Sequence, residues 1–336
     1  MEKLNAASII IQEGNGGIEV VSKLNSSSDV VSINVEKKNG LMGSQYGVFL
    51  SLSTVVKILK KYDCVMTNLP MHHIFFSMIN IFYKKKHIAI EHGPWVFAIG
   101  MKSNILVSWF YHFWLKHSKV KILCVSKDLY CMYNLVRKNN VYIPNCIAKI
   151  ESVKTTSLLS DEIRCVFIGR FDQQKDVELA ISSFLEFSST CSLQTSFELF
   201  GSGIELDILT KKYKNEESIK FMGYSSDARN QLVNYDICIV SSKFEGLPGI
   251  VLEALYVGCR VVSAPFLTGL LELAEYPNLR ISSSRDYKDL SIEMNAVLNQ
   301  NFEPAEIREK LLRVYSQKCV SDSYMRLILS ESRGEE

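Results

Sequence analysis

The sequence has no apolar run near the roughly 20 residues that a helix needs to cross a bilayer. Its nine cysteines are scattered, with no C-x-x-C pair and no Cys/His cluster at zinc-ligand spacing. The formal net charge is only +2, so no global positive field marks a nucleic-acid binder. These absences predict a protein of the reducing cytoplasm without a nucleic-acid partner, and they leave contact with a membrane surface open.

The chain is long and apolar enough for two packed domains. It has 336 residues, of which 47% are hydrophobic and 22% charged, and this composition argues against disorder. The opening MEKLNAASIIIQEG carries a short apolar run, too short for the core of a signal peptide. This run predicts a first buried strand.

Short apolar runs alternate with longer amphipathic stretches, which predicts βαβ units and mostly parallel sheets. Strands are expected at 7–12, 30–35, 64–67, 87–91, 121–125, 141–143, 164–169, 197–200, 219–221, 237–240 and 260–263. Helices are expected at 17–25, 50–61, 71–83, 103–116, 127–138, 177–187, 204–213, 227–234 and 249–256, and two or three more are expected after residue 284, ending with 321–330. The resulting fold class is α/β, with two Rossmann-like doubly wound domains facing across a cleft. The expected division is a domain over 1–147, a linker over 148–160, a domain over 161–315 and a last helix over 316–336.

Two cations follow the first strand of the second half, in CVFIGRFDQQKD. Arg170 comes at the carboxyl end of the strand, and Lys175 follows at the entry to a helix. Cations beside a helix N-terminus suit a doubly charged phosphate group. The alternative is a pair of solvated surface cations.

Glycines break the chain at two further strand ends. Gly201 and Gly203 lie in FELFGSGIE, and Gly223 precedes Tyr224 in FMGYSSD. Glycine lets backbone approach a ligand without an intervening Cβ atom, although many strand-to-helix turns use it for geometry alone. Ser226 or Asp227 is expected to cap the next helix.

The segment SSKFEGLPGIVLEAL places Glu245 in a loop and Glu253 inside an apolar helix. Pro248 occupies a position that tolerates proline at a helix start, and amides from Gly246 onward are expected to point at an anion. Glu253 lies about 7 Å further along the helix axis than Pro248. Such carboxylates are poorly placed as a glycosidase pair and better suited to two hydroxyl-bearing parts of one ligand. The alternative is a loop glutamate plus a half-buried helix glutamate with a local partner.

The segment EGLPGIVLE resembles the E-x7-E signature of retaining glycosyltransferases of the GT-B fold, especially the large family 4. FIGRFDQQKD, LFGSG, FMGYSSD and SSKFEGLPGIVLEALYVGCRVVS occur in that family's order. Weaker similarities in the first half are EGNGGIE, AIEHGPW, ILCVSKDL and YIPNCI. Together these segments extend from about residue 10 to residue 275, and the ordered set is more specific than any one of them.

The resemblance implies a role for each matching residue. Arg170 and Lys175 would hold the diphosphate of a UDP-sugar, Glu253 the ribose hydroxyls and Glu245 the donor sugar. His92 would contact the sugar near the reacting carbon, although a histidine at a strand end is otherwise more often satisfied within the core or at the surface. The remaining donor-site residues would contribute backbone contacts or line the base pocket: Gly16, Gly17, Gly201, Gly203, Gly223, Tyr224, Gly246, Leu247, Pro248 and Gly249.

The sequence departs from the family pattern at two places. Cys146 stands where glycine is usual, and Leu270 or Leu271 stands where a second glycine is common after Gly269. The chain also lacks Asp-x-Asp, the element that holds a divalent metal in many other glycosyltransferases. The resemblance therefore implies transfer with retention, no metal or other cofactor, and charge stabilisation by Arg170, Lys175 and a helix end. It also implies that the last helix, over 316–336, packs back on the first domain.

The segments 82–86 and 103–121 combine lysines with aromatics, a composition suited to an anionic membrane surface. Trp109, Phe110, Phe113 and Trp114 lie on one helical face, which is equally typical of a core. The activity that the resemblance implies is transfer of a hexose or N-acetylhexosamine to a lipid-linked glycan at the cytoplasmic face of the inner membrane, in bacterial O-antigen, capsule or lipopolysaccharide synthesis. A catalytically silent subunit and a sugar-nucleotide epimerase of the same fold stay as alternatives.

Overall fold

The chain forms two compact units, each built on its own parallel sheet. The computed structural model describes residues 6–11, 30–35, 52–68, 70–94, 105–156 and 161–333. One unit comprises Met1–Cys146 and Val314–Glu336, and the other comprises Ile147–Arg313. The boundaries predicted after residues 147 and 315 lie next to this division, and the predicted linker falls in the second unit.

The first unit contains a six-stranded sheet in the order β2-β1-β3-β4-β5-β6. All of its neighbouring strands run parallel. The strands are β1 (Ala6–Ile11), β2 (Val30–Val35), β3 (Cys64–Thr67), β4 (Lys86–Glu91), β5 (Lys121–Cys124) and β6 (Asn140–Tyr142). The helices are α1 (Leu52–Lys61), α2 (Pro70–Tyr83), α3 (Ile105–His117) and α4 (Lys127–Asn134), and α10 (Gln317–Arg333) returns to this unit, where Glu331 pairs with Lys121.

The second unit contains a six-stranded parallel sheet in the order β12-β11-β10-β7-β8-β9. Its strands are β7 (Glu162–Ile168), β8 (Gln194–Phe200), β9 (Ile219–Gly223), β10 (Ile237–Val240), β11 (Arg260–Ser263) and β12 (Leu279–Ile281). Its helices are α5 (Val177–Thr190), α6 (Leu206–Lys212), α7 (Gly249–Val257), α8 (Tyr287–Leu298) and α9 (Pro304–Tyr315). The strand order reverses between β7 and β10, and open α/β sheets bind ligands beyond the strand ends at such a point.

Three details differ from the sequence prediction. The helix expected over 227–234 is a 3-10 helix (Asn230–Asn234) without a side-chain cap, because Asp227 binds the side chains of Asn230 and Gln231 instead. The helix expected to reach residue 138 ends at Asn134, and Asn140 binds the Arg137 carbonyl beyond it. Strand β12 was missed because three residues carry little periodicity. The helix predicted over 17–25 lies outside the described residues.

Aromatic rings pack the core of the second unit. Phe184 and Phe187 of α5 are fully buried, and the ring of Phe184 lies 5.0 Å from that of Phe197 in β8. Phe171 is also buried and packs against Phe167 at the end of β7. This packing anchors the loop that leaves β7, which carries Arg170 and Lys175.

A buried polar network lies inside the first unit. Thr67 Oγ1 lies 2.6 Å from His73 Nδ1 and 2.8 Å from His87 Nε2. His73 Nε2 lies 3.5 Å from Glu91 Oε1, which also accepts a hydrogen bond from the Tyr111 hydroxyl. Burial raises the pKa of Glu91 to about 7 and lowers that of His87 to about 3. Burial also lowers the pKa of His73 well below its usual value, so both histidines are uncharged at neutral pH.

The aromatic residues of α3 divide between the core and the surface. Tyr111 and Trp114 are buried, and Trp114 stacks on His73 of α2 at a centroid distance of 5.9 Å. Trp109, Phe110 and Phe113 are instead 64%, 57% and 52% exposed. The interpretation that this whole aromatic face packs in the core is therefore wrong for Trp109, Phe110 and Phe113. No helix in the described segments combines the length and apolarity needed to cross a membrane.

Candidate active site

An aspartate turn positions Lys175 beyond the end of β7. Asp172 Oδ1 accepts hydrogen bonds from the backbone amides of Gln174 and Lys175, at 3.1 and 3.0 Å. Aspartate favours such turns because its carboxylate reaches amides two and three residues ahead. Arg170 is 65% exposed and lies 3.3 Å from Asp172 Oδ2 and 2.8 Å from Gln174 Oε1. The turn thus fixes the backbone beneath Lys175 and leaves the Arg170 guanidinium accessible to solvent.

The structure joins Lys175 to Glu245. Lys175 Nζ lies 2.5 Å from Glu245 Oε1, and Ser242 donates a hydrogen bond to the same oxygen at 2.8 Å. Only 18% of the lysine side chain and 15% of the glutamate side chain are exposed. This shielding strengthens the attraction relative to an ion pair in open water. The two residues predicted to act on one donor are therefore in direct contact.

Hydrogen bonds to backbone carbonyls hold the two strand-end loops together. Ser241 donates from its hydroxyl to the Lys175 carbonyl at 2.7 Å. The amide of Lys243 donates to the Gln174 carbonyl at 2.8 Å, and Gln174 Nε2 donates to the Phe244 carbonyl at 3.1 Å. Because β7 and β10 are neighbours in the sheet, their carboxyl ends meet here. The site thus lies at the reversal of strand order.

The loop that contains Thr268 and Gly269 packs against the loop that contains Glu245. Thr268 donates from its hydroxyl to the Glu245 carbonyl. Gly269 has φ +83°, and a Cβ atom there would lie 2.0 Å from the Gly246 carbonyl oxygen. Gly269 is therefore required for the close approach of the two loops. Leu247 is buried, and Pro248 lies one residue before α7 begins at Gly249, so the expected first helical position for the proline is off by one.

Glu253 lies inside α7 and is buried. Its Oε2 atom is 3.1 Å from Nε of Arg229, which directly precedes the 3-10 helix. Burial raises the pKa of Glu253 to about 7, and the positive charge of Arg229 opposes that rise. Sequence reasoning did not find Arg229, because nothing in the DARNQL segment indicates a partner on a later helix. Glu253 therefore has a partner within the protein, but Arg229 is distant in the sequence and the carboxylate is buried rather than half-buried.

Gly201 and Gly203 allow the loop after β8 to approach the loop after β7. A Cβ atom on Gly201 would lie 1.8 Å from the Gly169 carbonyl oxygen, and one on Gly203 would lie 2.3 Å from the Phe171 carbonyl oxygen. Phe171 also donates its amide to the Ser202 carbonyl at 2.9 Å. Gly201 and Gly203 therefore let the loop after β8 pack closely against the loop that carries Arg170. This is the purely geometric role that the sequence motif left as an alternative to ligand binding.

Gly223 and Tyr224 lie at the end of β9. The Gly223 carbonyl accepts the amide of Gly201 at 2.8 Å, and Gly223 has φ +72° with open space where a Cβ atom would stand. The ring of Tyr224 is exposed. An exposed aromatic face next to accessible backbone is suited to stacking against a planar base.

His92 directly follows β4 in the first unit. Its Nε2 atom lies 3.0 Å from Oδ1 of Asn68, which follows the neighbouring strand β3. Since an amide oxygen only accepts, this contact places the ring proton on Nε2. Burial lowers the pKa of His92 to about 4, so the ring is neutral at pH 7. Gly16 and Gly17 lie outside the described residues.

The second unit matches a known enzyme family. Residues 162–300 match the glycosyl transferases group 1. The uncharacterized glycosyltransferase MJ1059 of Methanocaldococcus jannaschii is 21% identical over 332 residues, covering 90% of this chain and 80% of that protein. The N-acetylgalactosamine-N,N'-diacetylbacillosaminyl-diphospho-undecaprenol 4-alpha-N-acetylgalactosaminyltransferase of Campylobacter jejuni is 25% identical over 208 residues, covering 58% of this chain and 56% of that protein.

Solved structures agree on the architecture. Anabaena HepE, determined in complex with UDP and glucose, superposes with a TM-score of 0.74, covering 97% of this chain and 100% of HepE at 11% identity. A likeness at that identity shows the fold, which is GT-B. The fold and the family match define the protein as a glycosyltransferase. The second unit is thus similar to the group 1 glycosyltransferases over residues 162–300, and the fold of the chain is GT-B.

Proposed function

We propose that this glycosyltransferase moves a hexose or N-acetylhexosamine from a UDP-sugar to a glycan acceptor, with retention at the anomeric carbon. The observation that carries the proposal is the contact of Lys175 with Glu245 at the strand-order reversal, beside the start of α7. HepE, which shares the fold, binds UDP and glucose, and this supports uridine as the base. Retention is proposed from the resemblance of the E-x7-E segment.

The leaving diphosphate is the group that most needs stabilisation. When the bond between the anomeric carbon and the phosphate oxygen breaks, negative charge grows on UDP while the sugar becomes oxocarbenium-like. Arg170 is exposed and turns toward that charge by releasing Asp172 and Gln174. Lys175 is held in place by its turn, and the first amides of α7 add the positive end of a helix dipole. We propose that these groups replace a divalent metal in this reaction.

The other predicted residues have separate roles in the proposal. Glu253 accepts hydrogen bonds from the ribose hydroxyls, and Tyr224 stacks on the base. Glu245 contacts the donor sugar and also holds Lys175, which binds the phosphates. His92 of the first unit presents Nδ1 as an acceptor to a sugar hydroxyl, because Nε2 is bound to Asn68.

The acceptor is proposed to be a lipid-linked glycan, as in the assembly of a bacterial surface polysaccharide such as O-antigen, capsule or lipopolysaccharide. The Campylobacter relative is named for a diphospho-undecaprenol-linked acceptor, which supports this class. The exposed Trp109, Phe110 and Phe113 of α3, with the exposed Lys116 beside them, support contact with the anionic cytoplasmic surface of the inner membrane.

A thermal-shift screen against UDP, GDP, ADP and several UDP-sugars, with and without EDTA, tests the donor site. A ligand at about 100 times its dissociation constant adds nearly 3 kcal/mol to stability, an easily measured shift. We expect a UDP-selective shift that persists in EDTA and is lost in Glu253→Ala and Lys175→Ala. No shift from any nucleotide in folded protein would refute the donor site and favour a silent subunit. Release of a UDP-sugar epimer, without transfer, would favour the epimerase.

A further inference from the structure

Arg285 links the two segments that carry Lys175 and Glu245. It lies between β12 and α8, and its two terminal nitrogens contact three oxygen atoms of the protein. Nη1 donates to the Ser242 carbonyl at 2.6 Å, and Nη2 donates to the Ser241 carbonyl at 2.7 Å. Nη2 also lies 2.7 Å from Oδ2 of Asp176. One guanidinium therefore binds both strand-end loops at once.

Each of these contacts is next to a proposed donor-binding residue. Asp176 directly follows Lys175 and is the residue before α5. Ser241 and Ser242 precede the loop of Glu245, and the two serine hydroxyls bind the Lys175 carbonyl and Glu245 Oε1 respectively. A shift of either contact would therefore be transmitted to the separation between Lys175 Nζ and the Glu245 carboxylate.

Asp176 adopts a backbone conformation that needs support. Its φ and ψ are +49° and +57°, in the left-handed region that non-glycine residues seldom occupy. Arg285 supplies the nearer cation to its carboxylate, because Lys243 Nζ lies at 3.8 Å from the same oxygen. The ion pair with Arg285 thus helps to hold the turn that ends in Lys175.

We propose that Arg285 is a positioning residue that sets the distance between Lys175 and Glu245, and through it the affinity for the donor diphosphate. The proposal rests on the proposed function in that these two residues contact the donor. The planar guanidinium of Arg285 contacts all three oxygen acceptors at once, and a lysine ammonium cannot reproduce that geometry. Because its terminal nitrogens bind the protein's own oxygens, Arg285 acts through the two loops.

The test compares Arg285→Lys and Arg285→Gln with Arg280→Gln. Arg280 is a matched control, since it pairs with Glu293 at 2.6 Å in the same unit and touches neither loop. Two readouts are used: UDP affinity by titration calorimetry, and hydrogen exchange of peptides covering 172–177 and 241–246. We expect both Arg285 variants to lose about 10- to 100-fold in UDP affinity and to exchange faster in both segments. We expect the control to match the wild type.

Different failures are distinguishable. Wild-type affinity and exchange in the Arg285 variants would overturn the proposal, as would full retention of affinity by Arg285→Lys. Faster exchange spread evenly over the second unit would also overturn it. Loosening of the two segments in a protein that binds no nucleotide even as wild type would support the positioning role and reject the proposed function. If Arg285→Gln does not fold, Asp176→Asn tests the same link, and we expect it to loosen both segments.

Discussion

Nζ of Lys175 and Oε1 of Glu245 lie 2.5 Å apart although 70 positions separate the residues in the sequence. Each residue is the main charged partner of the other at a largely shielded site. We therefore expect the pair to contribute to stability and, under the proposed function, to donor binding, and the two effects are separable by experiment.

Lys175→Met is expected to lower the free energy of unfolding by about 1–3 kcal/mol, because it leaves the Glu245 carboxylate without its cation. Glu245→Gln is expected to cost less, since the amide oxygen still accepts from Ser242. Urea unfolding of each variant measures the difference. Arg313→Gln is the control: it breaks an exposed pair with Glu309 and is expected to cost under about 0.5 kcal/mol. A Lys175 variant no less stable than this control would contradict the prediction.

Gly269→Ala and Gly223→Ala separate backbone strain from lack of space. Both glycines have positive φ, +83° and +72°, but only at Gly269 would a Cβ atom meet backbone, at 2.0 Å from the Gly246 oxygen. We expect about 1 kcal/mol of destabilisation for Gly223→Ala, from strain alone. Gly269→Ala is expected to cost about 2–5 kcal/mol. Thermal and urea unfolding measure both variants, and equal costs would show that the loop containing Gly269 moves away without penalty.

The affinity for UDP is expected to rise with pH through about 7. The pKa of Glu253 is raised to about 7 by burial, and the ionised form is the one that accepts hydrogen bonds from both ribose hydroxyls. Arg229→Gln removes the cation that lowers this pKa, so the midpoint is expected to move to higher pH. Calorimetric titration at several pH values measures the midpoint.

Glu253→Gln is the control for that experiment. It removes the titrating carboxylate while leaving the phosphate titration of UDP itself unchanged. A pH profile that is the same in this variant and in the wild type would assign the dependence to UDP and reject the role of Glu253.

The buried Glu91 is expected to make the first unit less stable as pH rises from about 4.5 to about 7. Its pKa is 4.5 in an unperturbed chain and about 7 in the folded protein, so only the folded state holds the proton in this range. Raising the pH therefore removes that stabilisation. Glu91→Gln keeps an acceptor for Tyr111 and is expected to reduce the loss.

Urea unfolding of wild type and Glu91→Gln at about pH 5 and about pH 7.5 measures this difference. The lowered pKa values of His73 and His87 act in the opposite direction, favouring the folded state as pH rises toward 6.5, and both histidines are present in both proteins. The difference between the two slopes therefore reports Glu91 together with its contact to His73, whose Nε2 lies 3.5 Å from Glu91 Oε1. Equal slopes would contradict the prediction.

Replacing Trp109, Phe110 and Phe113 together by alanine is expected to reduce binding to phosphatidylglycerol vesicles at least about tenfold. Wild type is expected to bind phosphatidylcholine vesicles weakly, because the exposed Lys116 and Lys119 then lack an anionic partner. Vesicle co-sedimentation measures both.

A variant with Ile204 and Ile208 changed to alanine is the control for membrane binding. Both side chains are exposed and apolar like those of α3, but they lie in the second unit. Equal loss of binding in the two variants would indicate non-specific adhesion and contradict a membrane surface on α3.

The amino-acid sequence by itself determined the βαβ alternation and most strand positions. Strands β2, β3, β10 and β11 have the predicted bounds, because buried parallel strands are short apolar runs set off by polar residues. It also located the E-x7-E segment, since Glu245 and Glu253 are only eight positions apart, one in a loop and the other in the helix that follows.

Only the tertiary structure decided which partners those residues have. The pairs Lys175–Glu245 and Arg229–Glu253, and the contacts of Arg285 with Asp176, join segments that the sheet brings together at its strand ends. No local period records such pairs, because they depend on strand order: β10 returns to lie beside β7 after two other strands have formed. The sequence determines the chemical type of each residue. The contacts that change the charge and position of its side chain depend on the strand order, which reverses between β7 and β10.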